Sequence, residues 1–315
     1  MATFEYHEAD DVDQQAEFLA GYDQVYEQLG RGRFHGRFWQ LMTSSAVIFR
    51  ESTNRHLRQQ VHPPADHLAL AVPVAVDGAA QFAGKSLSPD SLMVLTGREG
   101  HELTSSGAFD LVGISIHRDL LANLAPDKQD WLGRAVRARH LRVAPDAAAA
   151  VRMTLLAVLQ AATHEEQPVG HQGGDSRMLL ATLGQAVLLA MTGEDQTSSI
   201  PRRAESRLRV VQRATDYLRA HLHEDIGTAD ICRAACASRR SLQYCFEEFL
   251  QTTPQAYLRA LRLNAARRQL KSGRDTSIIF IATELGFNSA SHFTRQYRSM
   301  FDELPSQTLR SMHVG

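Results

Sequence analysis

The feature that most constrains this 315-residue sequence is an internal repeat in its C-terminal third. When the chain is aligned with itself at an offset of 51 residues, apolar residues and prolines coincide at several positions. A period of about 50 residues, long enough for three helices, indicates a duplicated helical unit. The coinciding pairs are Leu242/Phe293, Phe246/Tyr297, Phe249/Met300, Leu250/Phe301, Pro254/Pro305, Leu258/Leu309 and Arg259/Arg310.

Each copy of the repeat has the spacing of a helix-turn-helix. Apolar periodicity predicts a short helix, a tight turn and a longer helix in both copies. In the second copy, Gly286 can adopt the positive φ that the turn requires, and Phe287 can fill the core beside it. In the first copy, the offset places Ala235 and Cys236 at these two positions. The predicted helices are 228–235 and 239–250 in the first copy, and 277–285 and 290–301 in the second.

The C-terminal part is also the basic part of the chain. The formal net charge of the whole sequence is -1, but residues 1–200 carry -8 and residues 201–315 carry +7. A difference of this size points to a polyanion that is contacted by the C-terminal part. Charge alone does not distinguish DNA from RNA.

One continuous helix is predicted between the two copies. Thr253 can cap it, Pro254 favours the first helical turn, and Gly273 can end it. At 1.5 Å per residue, this helix is about 25 Å long. It could therefore hold two DNA-reading helices about one DNA turn, ~34 Å, apart.

The C-terminal residues resemble a known family. The stretch GFNSASHFTRQYRSMFDELPSQTLR (286–310) resembles the AraC/XylS signature, in which Gly-Phe is followed by Ser, by Phe-x-Arg-x-Phe/Tyr and by a closing Pro-x-x-Tyr. RLNAARRQL (262–270) resembles the family's linking helix, and ASRRSLQYCF (237–246) resembles its first recognition helix. The resemblance implies a bacterial transcription regulator that binds double-stranded DNA through two tandem helix-turn-helix units. It also implies RNA polymerase as a partner.

The family resemblance implies which side chains contact DNA. Arg can fork onto guanine and Gln onto adenine, while Ser and His can offer single hydrogen bonds to base edges. Residues at helix starts are better placed for phosphate oxygens. The implied base-contacting residues are Arg240, Gln243 and Tyr244 in the first copy, and Ser291, His292 and Arg295 in the second. The implied phosphate-contacting residues are Ser238, Arg239, Asn288 and Ser289.

Four positions depart from the family pattern. The family's frequent Gly three residues before each Pro is replaced by Gln251 in the first copy and by Asp302 in the second. Thr308 replaces the closing Tyr, and Cys236 replaces a frequent turn Gly. These departures bear on local stability more than on function.

The N-terminal part has a different pattern. Between residues 35 and 117, short apolar stretches are broken at close intervals by Gly, Pro, Ser and Asp, as in an antiparallel sandwich or barrel. Two helical stripes follow, and an antiparallel pair that joins two subunits into a homodimer is the economical interpretation. The polar segment 192–205 is predicted to be a linker. The stripes are Val151, Leu155, Val158, Leu159 and Ala162, then Leu179, Leu180, Leu183, Val187, Leu188 and Met191.

Together these patterns predict a multidomain α+β protein. An effector-sensing β-rich domain (1–145), which loosely resembles the cupin-like sandwich or barrel domains of the family, precedes a helical dimerisation segment (146–191). The linker is followed by an all-α DNA-binding domain (206–315), in which one long helix joins two helix-turn-helix units. Phe49, Arg50 and His101 are candidates for binding a small-molecule effector.

An enzyme is not expected. The histidines do not reproduce the His-x-His and downstream Glu of metal-binding cupins, so neither a metal nor another cofactor is predicted. Phosphate-loop, nucleophile-elbow and Rossmann motifs are also absent from the sequence. Two alternatives stay open, namely a cupin-type enzyme fused to a DNA-binding anchor, and a ligand-independent architectural DNA-binding protein.

Three further sequence features concern location and the cysteines. No apolar run is long enough for a membrane span, and the acidic N-terminus does not resemble a secretory signal, which predicts a cytoplasmic, nucleoid-associated protein. The three cysteines lie in one short stretch, which argues against a disulfide framework. Cys232 and Cys236 are four residues apart, but they lack the further ligands of a zinc site.

Overall fold

The structure is a computed structural model with two compact units. The β unit comprises Met1–Tyr26, His35–Asn54 and Gln59–Ser199, and the helical unit comprises Glu27–Phe34, Arg55–Arg58 and Ile200–Gly315. The residues that the structure describes are 2–44, 46–97, 100–124, 129–164, 184, 202–272 and 277–311. No described helix is both long and apolar enough to cross a membrane.

The strands form two sheets, of which the larger is antiparallel throughout, so the prediction of a mainly-β N-terminal part is confirmed. Within the described residues, one sheet has the order β1-β3-β4-β11-β6-β9-β12 and the other has the order β2-β5-β10-β7-β8. Strands β1 and β2 precede the region in which strands were predicted. The strands are β1 (Thr3–Ala9), β2 (Asp23–Gln28), β3 (Gly36–Met42), β4 (Ala46–Thr53), β5 (Leu57–His62), β6 (His67–Val76), β7 (Ala80–Phe82), β8 (Lys85–Ser86), β9 (Ser91–Thr96), β10 (His101–Ser105), β11 (Phe109–His117) and β12 (His140–Arg142).

Both faces of the seven-stranded sheet are buried, which explains its nearly continuous apolar strands. Successive side chains of a strand point to opposite faces. In β4, Ile48 therefore packs with one apolar cluster and Phe49 with another, and Leu70 and Ala71 of β6 divide in the same way. The Phe49 cluster lies between the two sheets, because Phe82 and Leu103 of the smaller sheet contribute to it.

The other cluster packs the helices of the β unit onto the large sheet. These helices are α2 (Arg118–Leu124), α3 (Gln129–Ala138) and α4 (Pro145–His164), while the short helix α1 (Val12–Glu17) contacts β1 and β3 outside this cluster. The predicted stripe of α4 is confirmed, but Val151, Leu155 and Leu159 are buried in the core of the unit itself. The second helix of the predicted dimerisation pair lies outside the described residues, apart from Gly184.

The helical unit has its own two cores. Its helices are α5 (Arg202–Ala220), α6 (Thr228–Ala235), α7 (Arg239–Leu250), α8 (Pro254–Lys271), α9 (Ile278–Glu284), α10 (Ala290–Phe301) and α11 (Pro305–Ser311). Helix α8 contributes to both cores, since Tyr257 and Leu261 pack with α7 whereas Leu263 and Leu270 pack with α10. Helix α5 begins at Arg202, inside the segment that was predicted as a linker, and residues 192–201 lie outside the described part of the chain.

Two short segments from the N-terminal part of the sequence belong to the helical unit, which the sequence did not predict. The Glu27 carboxylate accepts hydrogen bonds from Arg219 at 2.8 and 3.0 Å and from the Tyr257 hydroxyl at 2.9 Å. Arg58 lies 3.5 Å from the same carboxylate. Because Glu27 and Arg58 are almost fully buried, this cluster holds both segments by charge-assisted contacts.

The neighbouring residue, Gln28, is bound to the second half of the unit. The Asn264 side chain of α8 donates to the Gln28 carbonyl at 2.9 Å and accepts from the Gln28 N–H at 3.2 Å. The Gln28 amide donates to the Met300 carbonyl at 2.9 Å, and the Gly32 N–H donates to the same oxygen at 2.9 Å. The segment thus satisfies a carbonyl near the end of α10.

Candidate nucleic-acid interface

The first candidate reading helix is α7. The Ser238 hydroxyl caps it by accepting a hydrogen bond from the Ser241 N–H at 3.1 Å. One face buries Leu242, Cys245, Phe246 and Phe249 in the core, so the opposite face turns outward. Arg239, Arg240 and Tyr244 are exposed there, while Gln243 is half-buried and donates to Glu247 at 2.6 Å.

The second candidate reading helix is α10, which repeats this design. The Ser289 hydroxyl caps it by accepting from the His292 N–H at 3.2 Å. Phe293, Tyr297 and Met300 are buried, whereas Asn288, Ser289, Ser291 and Arg295 are exposed. His292 is half-buried and its ring lies 2.6 Å from the Gln296 amide nitrogen.

The turns of the two units are not equivalent at the predicted offset. Gly286 has φ +70°, as predicted, but its counterpart is Cys236, with φ +50°, and Ala235 is the buried last residue of α6. The Cys236 N–H is bonded to the carbonyl three residues back, as is the Gly286 N–H. One residue, Ala237, separates Cys236 from the cap of α7, whereas two residues separate Gly286 from the cap of α10. The offset is therefore 50 residues before the turn and 51 after it.

The exposed arginines of both reading helices are available to an external anion. The side chains of Arg239, Arg240 and Arg295 make neither an ion pair nor a hydrogen bond with any residue that the structure describes. Tyr244 has a cationic neighbour, since the Arg207 guanidinium lies 5.7 Å from its ring centre and pairs with Glu248 at 2.7 Å.

The structure adds two arginines that the sequence analysis did not select. Arg298 is exposed and lines the same groove of α10 as Ser291 and Arg295. Arg259 of α8 is exposed in a second groove, which Asn288 and His292 also line. The three-residue spacing of Arg295 and Arg298 could have identified the first of these, because residues three apart share a helix face.

The three effector candidates occupy different places in the β unit. Phe49 lines a cavity between the sheets. Arg50 lies on the opposite face of β4, where its guanidinium pairs with Asp110 and stacks 4.8 Å from the Trp39 ring centre. His101 is buried, binds the backbone of Thr96 and stacks on Phe82, and burial lowers its pKa.

The sequence analysis missed Glu51, a carboxylate that lines this cavity together with Phe49. Its carboxylate accepts from the Gln15 amide at 3.0 Å and lies 3.3 Å from the Tyr26 hydroxyl. The signal was present, because Phe49 and Glu51 are two residues apart on a strand and share a face. A carboxylate on an otherwise apolar face is a candidate functional residue.

The cysteines are free and differ in burial. Cys232 is half-buried, Cys236 is exposed and Cys245 is buried. Within the described ranges, no three His, Cys, Asp or Glu residues are grouped so that they could hold a metal ion.

Comparison with known proteins agrees with this geometry. A family model described as a helix-turn-helix domain matches residues 231–311. The HTH-type transcriptional regulator ArgR of Pseudomonas aeruginosa is 35% identical over 98 residues, which cover 31% of this chain and 30% of that protein. The XylDLEGF operon transcriptional activator of Pseudomonas putida is 37% identical over 101 residues, 31% of this chain and 32% of that protein. The match thus spans about a third of the length of these curated relatives.

Two solved structures are also similar to this chain. A transcriptional regulator from Chromobacterium violaceum, described as having an AraC-type DNA-binding domain, is 33% identical, with a TM-score of 0.32. It covers 35% of this chain and 96% of its own. The AraC-like transcriptional activator CuxR is 14% identical and covers 86% of this chain and 96% of its own, with a TM-score of 0.41. The family model thus shows a helix-turn-helix domain in the C-terminal part of this chain, and the curated relatives that match about a third of the chain are transcription regulators.

Proposed function

We propose that this protein is a transcription regulator that binds specific double-stranded DNA through both helix-turn-helix units. The observation that carries the proposal is the pair of capped helices, α7 and α10, on either side of one shared helix. Each helix exposes arginines that have no partner among the described residues. Unpaired guanidinium groups on the exposed face of a helix suit the phosphates and guanine edges of a major groove.

Contacts with phosphates supply affinity for DNA, whereas contacts with base edges supply specificity. Arg239, Ser238 and Ser289 lie at helix starts, where backbone N–H groups also attract phosphate. Arg240, the second residue of α7, and Arg295, in the second turn of α10, supply forked contacts to guanine. Phosphate contacts release counterions and make affinity depend steeply on salt.

Measuring DNA binding by the full chain tests this proposal directly. Selection from a random duplex library should recover one preferred sequence with two short blocks about 10 base pairs apart. The logarithm of the affinity should fall linearly with the logarithm of the salt concentration. Equal affinity for all duplexes would support an architectural protein instead, and a flat salt response would contradict phosphate binding.

We also propose that the β unit senses a small organic effector. The cavity between the sheets, lined by Phe49 and Glu51, supports this, since effector sites are concave, mostly apolar and carry few polar groups. Arg50 and His101 do not line the cavity and stay weaker candidates for the effector site. RNA polymerase is the proposed partner on DNA, and activation is the proposed outcome.

The proposed homodimer requires a revised surface. Leu155 of α4 is buried in the β unit, so Leu155→Asp would unfold the unit rather than separate subunits. Met153 and Ala157 share the outer face of α4, where Met153 is 70% exposed. Met153→Asp should therefore give monomers in sedimentation, with Arg142→Asp, exposed on β12, as the control. A monomeric unmodified chain at micromolar concentration would end the dimer proposal.

A further inference from the structure

The cavity of the β unit is apolar except at one place. Most of its wall is aromatic and aliphatic, and the polar side chains cluster around Glu51. Among the described residues that line it there is no Lys, Arg or His. The lining residues that matter below are Tyr22, Phe38, Phe49, Phe82, Met93 and Glu51.

The Glu51 carboxylate is incompletely satisfied by its neighbours. It is 6% exposed, and its good hydrogen bond is the one from Gln15 at 3.0 Å. The Tyr26 hydroxyl, 3.3 Å away, lies closer to Gln24 at 3.0 Å, and a hydroxyl donates only one hydrogen bond. The Gln59 amide is 3.5 Å away. A carboxylate can accept about four hydrogen bonds, so acceptor capacity remains.

Gln15 adds a second unused acceptor beside it. The side chain of Gln15 is buried, and its carbonyl oxygen has no hydrogen-bond partner among the described residues. The amide nitrogen of the same group binds Glu51, so the free oxygen lies next to the carboxylate. Buried oxygens without donors are costly, and this cluster lacks a donor rather than an acceptor.

Burial raises the pKa of Glu51 to about 7, although hydrogen bonds from Gln15, Tyr26 and Gln59 favour the charged form. The charge of Asp110 raises it further. In the folded state the pKa of Glu51 lies above its ordinary value of 4.5. The contribution of this group to folding stability is therefore lost as the pH rises from about 4.5 to about 7. A cation bound at the carboxylate would relieve this loss. Tyr26 itself stays neutral, because burial raises its pKa well above 10.

We propose that the effector is a small organic amine, whose ammonium group binds the Glu51 carboxylate while its apolar body packs on Phe49 and Phe82. This inference rests on the proposed effector role of the cavity. An ammonium group brings three donors and a positive charge, the two things that the cluster lacks. A carboxylic acid would bring a like charge, and an alcohol would leave the charge of Glu51 uncompensated.

The volume of the cavity limits the size of the amine. Its open space is about 50 Å3, which is enough for more than one water molecule. A short alkyl amine fits with little adjustment, and a ring requires the cavity wall to yield. Met93 is the residue suited to that movement, since methionine is unbranched and flexible.

Titration calorimetry on the full chain tests the proposal with matched probes. Methylamine, propylamine and benzylamine are compared with 1-propanol, benzyl alcohol and benzoate at about pH 7.5. At least one amine should bind on the order of 100-fold more tightly than its matched alcohol, and benzoate should not bind. Glu51→Gln should weaken the binding of that amine on the order of 100-fold. Glu17→Gln, an exposed control on α1, should leave it unchanged.

The pH dependence of the unmodified chain tests the same point without a substitution. Amines stay protonated between about pH 7.5 and 5.5, while Glu51 takes up the proton that the amine must displace. The affinity should fall roughly 20-fold over this range. Binding that is independent of pH, absence of amine binding up to about 10 mM, or equal binding of alcohol and amine would each overturn the inference. None of these results would affect specific DNA binding, whose loss would instead end the proposed function.

Discussion

The two helix-turn-helix units are copies whose cores place one hydroxyl group differently. In the first unit, Phe246 packs edge-on against Tyr257, at 5.8 Å between ring centres. At the 51-residue offset, the second unit has Tyr297 and Thr308, whose hydroxyl oxygens lie 2.8 Å apart. In the first unit the phenolic hydroxyl belongs to Tyr257, whereas in the second unit it belongs to Tyr297, the counterpart of Phe246. Thr308, the counterpart of Tyr257, is smaller and so accommodates the larger Tyr297.

This exchange changes what each unit binds. The Tyr257 hydroxyl points to Glu27, and so connects the first unit to the segment 27–34. The Thr308 hydroxyl instead donates to Glu303, which pairs with Arg267 at 2.5 Å. The Thr308 hydroxyl is thus bound to side chains of the C-terminal part of the chain, whereas the Tyr257 hydroxyl is bound to a carboxylate from a distant part of the sequence. Duplicated units can share a backbone plan and still differ in how they are held.

Glu27→Gln should produce the largest effect and should act mainly on the first unit. It removes the charge that compensates Arg219 and the buried Arg58, and breaking a buried pair costs about 3 kcal/mol or more. Urea denaturation measures this loss, and hydrogen exchange should show faster opening in α5–α7 than in α10. Glu284→Gln, which removes a surface pair, should cost less than about 0.5 kcal/mol. Equal effects of the two substitutions would mean that the segment is not held by Glu27.

Removing the hydroxyl group of Tyr257 or of Thr308 should lower the folding stability by similar amounts, which are smaller than the effect of Glu27→Gln. Tyr257→Phe deprives a buried carboxylate of a donor, and Thr308→Val leaves the Tyr297 hydroxyl without its partner, each at a cost of about 1–3 kcal/mol. Combined with Glu27→Gln, the Tyr257 change should be less than additive, while the Thr308 change should be additive. Thermal denaturation of the single and double variants decides this. Additivity for both would contradict two separate networks.

The turn of the first unit provides the smallest effect. Cys236→Gly should stabilise the fold by about 1 kcal/mol, because glycine adopts positive φ without strain. Ala235→Gly should destabilise it by about 1 kcal/mol, since Ala235 is a buried helical residue. The melting temperature of each variant shows the sign. If Ala235→Gly stabilised the fold and Cys236→Gly destabilised it, Ala235 would be the counterpart of Gly286, as the 51-residue offset predicts.

Much of the helical unit could be predicted from local patterns. The caps Ser238 and Thr253 and the positive φ of Gly286 follow from single residues at fixed distances from apolar stripes. The one-residue shift at the first turn was missed because the matches that defined the repeat all lie beyond it. Ile231 and Ile281, at an offset of 50, were the available signal.

The remaining features depend on contacts between residues that are distant in sequence. Gln28 bonds to a residue 272 positions away, and no periodicity reveals such a pair. The polar residue of the cavity was harder to predict, because Arg50 and Glu51 are adjacent charged residues that differ in the face of β4 on which they lie. Because alternate residues of a strand share a face, the choice of Phe49 as a candidate predicts Glu51, and not Arg50, as its charged neighbour.

The measurement that tests the central claim most directly is the sequence preference of three variants of the full chain. Each is bound to a duplex library that is randomised across both blocks. Arg240→Ala should relax preference in one block and Arg295→Ala in the other, each by about 1–3 kcal/mol. Arg239→Ala should weaken all sequences about equally and reduce the salt slope by about one unit. If Arg240→Ala and Arg295→Ala change the same base pairs, or change none, the two units do not read separate grooves.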